Sequence, residues 1–165
     1  MILNTLGSEW HINQAIKMHI ALYKPDIPQN TASIIRLGAC LNLKIHIIEP
    51  CGFNLDDPRF KRVAMDYAKI SKIIRYKNFD SFLKKNSKSR IILMTTKAKK
   101  KYNNFKFKRK DTLLFGRESE GVPKIVHNNS YQRLKIPLKK KARSLNIAMA
   151  VAITLSEALR QNSNL

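Results

Sequence analysis

Acidic side chains are scarce in this chain of 165 residues: 11 Asp and Glu stand against 32 Lys and Arg, for a formal charge of +21 at neutral pH. Such a balance disfavours basic partners and predicts a polyanionic one, nucleic acid before membrane. For the charge taken alone, a Lys-rich surface that is merely solvated is the plainer alternative. No apolar run approaches the ~20 residues of a membrane-spanning helix, so no membrane association is expected. Cysteine is nearly missing. Cys40 and Cys51 cannot build a disulfide framework, and without a secretory signal they predict buried free thiols in a reducing cytoplasm. His11, His19, His46 and His127 lack the close pairing of a zinc site, so no metal is predicted. Glycine occupies only 5 positions, and none falls in a Gly-x-x-x-x-Gly-Lys or Gly-x-Gly-x-x-Gly cradle. Ordinary nucleotide-phosphate binding is therefore a distant choice.

The length and a hydrophobic share of 44% allow one domain with a real core and leave no room for two of ordinary size. Met1 to Lys17 has no clear period and too few basic groups for a transit peptide. Residues 1–17 read as an extension outside the fold, and residues 18–165 as the domain. His19 to Tyr23 begins like a first strand. After the turn at Pro25 and Pro28, Thr31 to Cys40 places Ile34, Ile35 and Leu37 at helical spacing, and Leu43 to Ile48 reads as a strand ending at Pro50. A helix around Arg59 to Ala68, a strand over Lys72 to Tyr76, a helix over Phe79 to Lys85 and a strand over Arg90 to Thr95 continue the alternation. Thr112 to Phe115 and Arg133 to Leu138 are further strands, with a short helix over Val122 to Asn128 between them. Ser144 to Arg160 is the final helix, with Leu145, Ala148, Met149, Ala152, Leu155 and Leu159 as its apolar stripe. Strands alternating with helices predict the α/β class, a mostly parallel sheet flanked by helices.

Three blocks put polar or glycine residues where strands of such a sheet give way to loops, the edge that α/β sheets present to ligands. They are Asn30-Thr31-Ala32-Ser33-Ile34-Ile35-Arg36, Leu114-Phe115-Gly116-Arg117-Glu118-Ser119-Glu120-Gly121-Val122-Pro123 and Arg143-Ser144-Leu145-Asn146-Ile147-Ala148. Gly116 permits a sharp turn and a close approach to backbone, and Glu118 and Glu120 offer carboxylates beside it. Ser144 suits the cap of the last helix, whose free N–H groups can hold an anion. Lys97 to Lys110 interleaves lysines, among them Lys99, Lys100 and Lys101, with Tyr102, Phe105 and Phe107. That texture fits an RNA contact surface; a solvated connector whose aromatics cover the core edge fits it equally.

In order and wording the blocks resemble the three motifs of the SpoU branch of the SPOUT RNA methyltransferases. Within that branch, Ala21-Leu22-Tyr23-Lys24-Pro25-Asp26-Ile27-Pro28-Gln29-Asn30-Thr31, then Ile48-Glu49-Pro50-Cys51-Gly52-Phe53 and Leu55-Asp56-Asp57, resemble the small tRNA 2'-O-methyltransferases that modify the wobble nucleotide, position 34. The likeness runs from Met18 to about Gln161. It implies a SPOUT-type fold with a C-terminal trefoil knot, a homodimer, tRNA as substrate and S-adenosylmethionine as methyl donor. Met94, Thr95, Gly116, Ile136, Leu138, Ser144, Leu145 and Asn146 would line the donor pocket. Arg36 would be the catalytic residue, with Asn30 and Glu118 as orienting groups. Arg143 and the run Lys139, Lys140 and Lys141, with Lys99, Lys100 and Lys101, would meet RNA.

The implied reaction is attack of a ribose 2'-hydroxyl on a sulfonium methyl, which requires alignment and proton loss. A guanidinium holds its proton tightly, so Arg36 is read as a cation that grips phosphate and stabilises the developing alkoxide. The chain departs from the family at Ala32 and Ser33, where Gly-Asn is usual, and at Ala148 and Met149, where Ser-Asn is frequent. These changes bear on substrate positioning more than on the donor pocket. An RNA-binding protein of the same fold with impaired catalysis, or a methyltransferase with another RNA target, are the alternatives.

Overall fold

The computed structural model describes residues 17–68 and 70–162. The expected extension lies outside those residues except for Lys17, whose N–H donates to the Arg109 carbonyl at 2.9 Å. In chain order the elements are β1 (His19–Tyr23), α1 (Pro28–Cys40), β2 (Lys44–Ile48), α2 (Pro58–Ala68), β3 (Lys72–Tyr76), α3 (Phe79–Lys85), β4 (Ile91–Met94), β5 (Lys100–Lys101), β6 (Thr112–Phe115), α4 (Lys124–Asn128), β7 (Gln132–Lys135) and α5 (Ile147–Arg160). A short 3-10 turn, Tyr102–Asn104, follows β5. The strands form one seven-stranded sheet in the order β3-β2-β1-β6-β4-β7-β5, and every pairing is parallel.

The central strands are apolar on both faces, as a sheet covered on both sides requires. Successive side chains point to opposite faces. Ile20 and Leu22, Ile92 and Met94, and Leu113 and Phe115 therefore pack with Ile34 of α1 and Val151, Leu155 and Ala158 of α5. Ala21, Leu93 and Leu114 face the other way, onto Phe79 and Phe82 of α3 and Val126 of α4. A smaller cluster of Ala32, Ile35, Phe60 and Ala64 seals α1 against α2.

Local physics moves several boundaries. Helix α1 begins at Pro28, three positions before the expected Thr31, because proline's fixed φ and missing N–H suit a first helical turn. Helix α5 begins at Ile147 instead of Ser144, and its buried face runs through Ile147, Ala148, Val151, Leu155 and Ala158. Met149, placed in the expected stripe, is 56% exposed, as is Leu145 at 38%. The helix is apolar almost all round, so its sequence alone leaves the inward face undetermined. Cys40 is exposed and only Cys51 is half-buried; both are free, and burial pushes the Cys51 thiol up to about 12. In the lysine-rich connector Phe105 and Phe107 are buried against the core while Lys99, Lys100 and Lys101 are exposed. Lys100 and Lys101 also form an edge strand on β7, a placement that strand pairing imposes on residues of low strand propensity.

Between the sheet and α3, buried His46 joins Tyr76 Oη through Nδ1 at 2.8 Å and His19 Nδ1 through Nε2 at 3.0 Å. Burial, with His19 and Lys44 adding to it, lowers the His46 pKa to about 4.

Candidate active site

In the sheet β1, β6, β4 and β7 are consecutive, so the loops leaving their carboxyl ends lie side by side. Those loops and the start of α5 enclose a cavity of about 470 Å³. Met94, Thr95 and Thr96 enter it from β4, Gly116, Arg117 and Glu118 from β6, and Ile136 and Leu138 from beyond β7. Ser144, Leu145 and Asn146 close it from the approach to α5, and Ile27 and Asn30 from the first turn of α1. The walls are apolar, with a few polar groups converging on them, as in small-molecule sites generally.

A hydrogen-bonded chain ties these loops together. Asn30 donates from Nδ2 to Glu118 Oε1 at 3.0 Å and accepts at Oδ1 from Asn146 Nδ2 at 2.9 Å. The other oxygen of Glu118 accepts from the backbone N–H of Asp26 at 2.9 Å. Asp26 in turn accepts at Oδ1 from Arg117 Nη2 at 2.6 Å and Nε at 3.0 Å, and at Oδ2 from Ser119 Oγ at 2.6 Å. The Arg117 bonds, followed by those from Ser119, hold the Asp26 carboxyl below the usual carboxylate range.

Two local features make this geometry. Arg117 and Gly121 exchange both backbone hydrogen bonds at 3.0 Å, closing a tight loop in which Gly121 takes φ +71°. Gly116 lies so near that a Cβ there would stand 2.7 Å from the Gly121 carbonyl carbon, so the loop folds this way only without a side chain. The cap of α5 is Asn146, whose Oδ1 accepts from Ala148 N at 2.9 Å, and not Ser144 as expected. An asparagine that caps with its oxygen keeps its amide donor free, and here that donor reaches Asn30.

Thus Met94, Thr95, Gly116, Ile136, Leu138, Ser144, Leu145 and Asn146 come together around one cavity with Asn30 and Glu118. Arg36 does not join them: it lies on the exposed side of α1, its guanidinium carbon 4.9 Å from the Tyr67 ring centroid. Lys139, Lys140, Lys141 and Arg143 are exposed on the segment between β7 and α5. Besides further wall residues such as Ile27, Thr96 and His127, the expectations missed the hydrogen-bonded group of Asp26, Arg117 and Ser119. Their signal was present, since a lone acid precedes Asn30 by one helical turn and an arginine adjoins Gly116, but only the fold pairs them. Ala32 lies inside α1 with no positive φ, so alanine is free of strain there. Among the described residues no His, Cys, Asp and Glu side chains group to hold a metal ion, and no helix is long and apolar enough to cross a membrane.

Residues 17–156 match the model of the SpoU rRNA methylase family. The chain is 46% identical over 144 residues to a tRNA (cytidine(34)-2'-O)-methyltransferase of Beijerinckia indica, with 86% of this chain and 90% of that one covered. It is 36% identical over 146 residues to the enzyme of that name from Escherichia coli K12, covering 87% and 93%. A solved structure, described as giving structural insights into the 2-OH methylation of C/U34 on tRNA, superposes with a TM-score of 0.83 at 36% identity, over 88% of this chain and 95% of that one.

Proposed function

The chain belongs to the SpoU rRNA methylase family, and we propose that it transfers a methyl group from S-adenosylmethionine to the ribose 2'-hydroxyl of the wobble nucleotide of tRNA, cytidine or uridine at position 34. The observation that carries this reading is the meeting of three distant blocks, at Asn30, Glu118 and Asn146, on one cavity at the carboxyl edge of a parallel sheet. The relatives' names give the substrate.

The cavity suits the donor: apolar walls from Met94, Phe115, Ile136 and Leu138 fit an adenine ring, and Thr95, Ser144 and Asn146 offer polar groups at the edges. When bound, the donor would supply a sulfonium methyl to the ribose oxygen, with the carbon–sulfur electron pair staying on sulfur and the hydroxyl proton passing to solvent water. Glu118, locked by Asp26 and Asn30, fixes the loop on one side, and Asn146 fixes the entry of α5 on the other. Such pre-set geometry supplies most of what a displacement at carbon needs. Of the bases lining the cavity, Glu118 has both oxygens committed to Asp26 and Asn30, and Glu120 and His127 stand at its more open parts; a cation beside the hydroxyl assists proton loss by stabilising the developing alkoxide.

Arg36 is that cation, brought by a second copy of the chain. Leu145, just before α5, and Met149 and Ile153 on it form an exposed apolar ridge, 38%, 56% and 37% accessible. It adjoins α1, whose exposed side carries Gln29, Ser33 and Arg36. A homodimer on this face covers the ridge and carries Arg36 toward the partner's cavity. The C-terminal segment forms the trefoil knot of the family. Residues 18–165 make up the methyltransferase domain and residues 1–17 an extension outside it, and the enzyme works in the cytoplasm with its substrate. The exposed Lys99, Lys100, Lys101, Lys139, Lys140, Lys141 and Arg143 dock the tRNA backbone; β5 pairs with β7 and so sets the first group beside the segment bearing the second.

Incubating the protein with tritiated S-adenosylmethionine and bulk tRNA tests the reading: label enters RNA if it holds, and its absence at saturating donor overturns it.

A further inference from the structure

Asp26 touches three consecutive residues of the loop that walls the cavity. Its carboxylate takes Arg117 through two guanidinium nitrogens and Ser119 through the hydroxyl and the backbone N–H, the last at 3.2 Å, while its own N–H holds Glu118. The Asp26 side chain is 17% exposed and that of Arg117 31%, so the pair is partly shielded from water. Both Arg117 nitrogens converge on one carboxylate oxygen, which leaves the other for Ser119, and charge-assisted bonds of this kind are the strong ones. Gly52 presses on the other side of Asp26, where a Cβ would stand 2.9 Å from the Asp26 Cα. Asp26 therefore has little freedom, and the loop hangs from it.

We propose that Asp26 is a positioning residue for the methyl donor: paired with Arg117, it holds the loop 116–121 in the shape that the donor's cavity requires, without touching the reacting atoms. The proposal rests on the methyltransferase reading. Glycine at 116 and 121 gives the loop no side chains of its own to brace it there, so contacts from outside hold its shape, and among the loop's side-chain bonds those to Asp26 are the most numerous. The Asp26 carboxylate also neutralises Arg117, which lines the cavity and would otherwise oppose a cationic ligand.

The test compares wild type with Asp26→Asn, Arg117→Gln and the double variant. The KM for S-adenosylmethionine should rise about tenfold in each, equivalent to roughly 1.4 kcal/mol, with the KM for tRNA unchanged. The double variant should be no worse than either single one, because both break the same link. Hydrogen exchange over residues 116–121, measured without ligand, should accelerate in Asp26→Asn while exchange in β4 and β6 stays slow. Unchanged exchange in that loop, or an unchanged KM for the donor, overturns the proposal. So does a uniform loss that tracks the folded fraction in thermal melts. Exchange that accelerates in a protein whose wild type ignores the donor would retain the clamp and sink the methyltransferase reading instead.

Discussion

Asn146 donates its side-chain amide to the side-chain carbonyl of Asn30 at 2.9 Å, across 116 positions of the chain. One asparagine thereby caps a helix and fastens the end of the chain to its beginning, because its oxygen and its nitrogen serve separate partners. The two roles separate by mutation. Asn146→Ala should cost about 1 kcal/mol of stability through the lost cap and also weaken donor binding. Asn146→Asp, which keeps the cap acceptor but loses the donor, should hold stability and still bind the methyl donor poorly. Urea denaturation and calorimetric titration measure the two effects.

Ser144 gives the converse. Since it does not cap α5, Ser144→Ala should change stability by less than about 0.5 kcal/mol, while donor affinity falls if its hydroxyl faces the bound ligand. A stability loss as large as that of Asn146→Ala would return the cap to Ser144.

Gly116→Ala places a methyl group 2.7 Å from the Gly121 carbonyl carbon, so the loop backbone held by Asp26 has to shift. The expected result is a loss of about 1–3 kcal/mol from overpacking, with donor binding reduced beyond what stability explains. Wild-type affinity in this variant would show the loop to be free to move.

The histidine pair makes the fold sensitive to acid. In the folded protein His46 titrates at about 4, against the ordinary histidine value of 6.5 when unfolded, because burial disfavours its cation. The unfolded chain therefore binds more protons below that higher value. Stability is full above it and falls as the pH drops toward the lower value, by roughly 3 kcal/mol over the whole window. Urea midpoints across this range should show the slope, and His46→Gln should flatten it.

Arg36→Ala should abolish methyl transfer and leave donor binding intact. Mixing Arg36→Ala with Asn146→Ala subunits distinguishes a site completed across the dimer from one contained in a single chain. At a donor concentration that leaves Asn146→Ala sites empty, half of the proposed dimers carry one working site of two, so about a quarter of wild-type activity should return. No recovery would place Arg36 in the cavity of its own chain.

Much of this was legible in the sequence because the strands are short apolar runs bounded by turn residues. Lys72–Tyr76, Phe79–Lys85 and Thr112–Phe115 fall on the expected positions. The cavity was legible for a different reason: the fold family dictates which loops meet, and Gly116, Ile136 and Asn146 stand at the ends of recognisable strands or at a helix start. What escaped was set by tertiary contact. The inward face of α5 depends on what α1 and the sheet offer, since Met149 and Val151 are equally apolar as letters. Asn146 both caps α5 and bonds Asn30, a pairing across 116 positions that only the fold makes. The link from Asp26 to Arg117 spans 91 positions and leaves no periodic trace.

The most direct test is to map the modified nucleotide. Transfer RNA incubated with the protein and S-adenosylmethionine, then digested and read by mass spectrometry, should gain 14 mass units, one methyl in place of hydrogen, on the ribose of nucleotide 34 and nowhere else. A methyl group on a base, on another ribose or on no nucleotide would contradict the account.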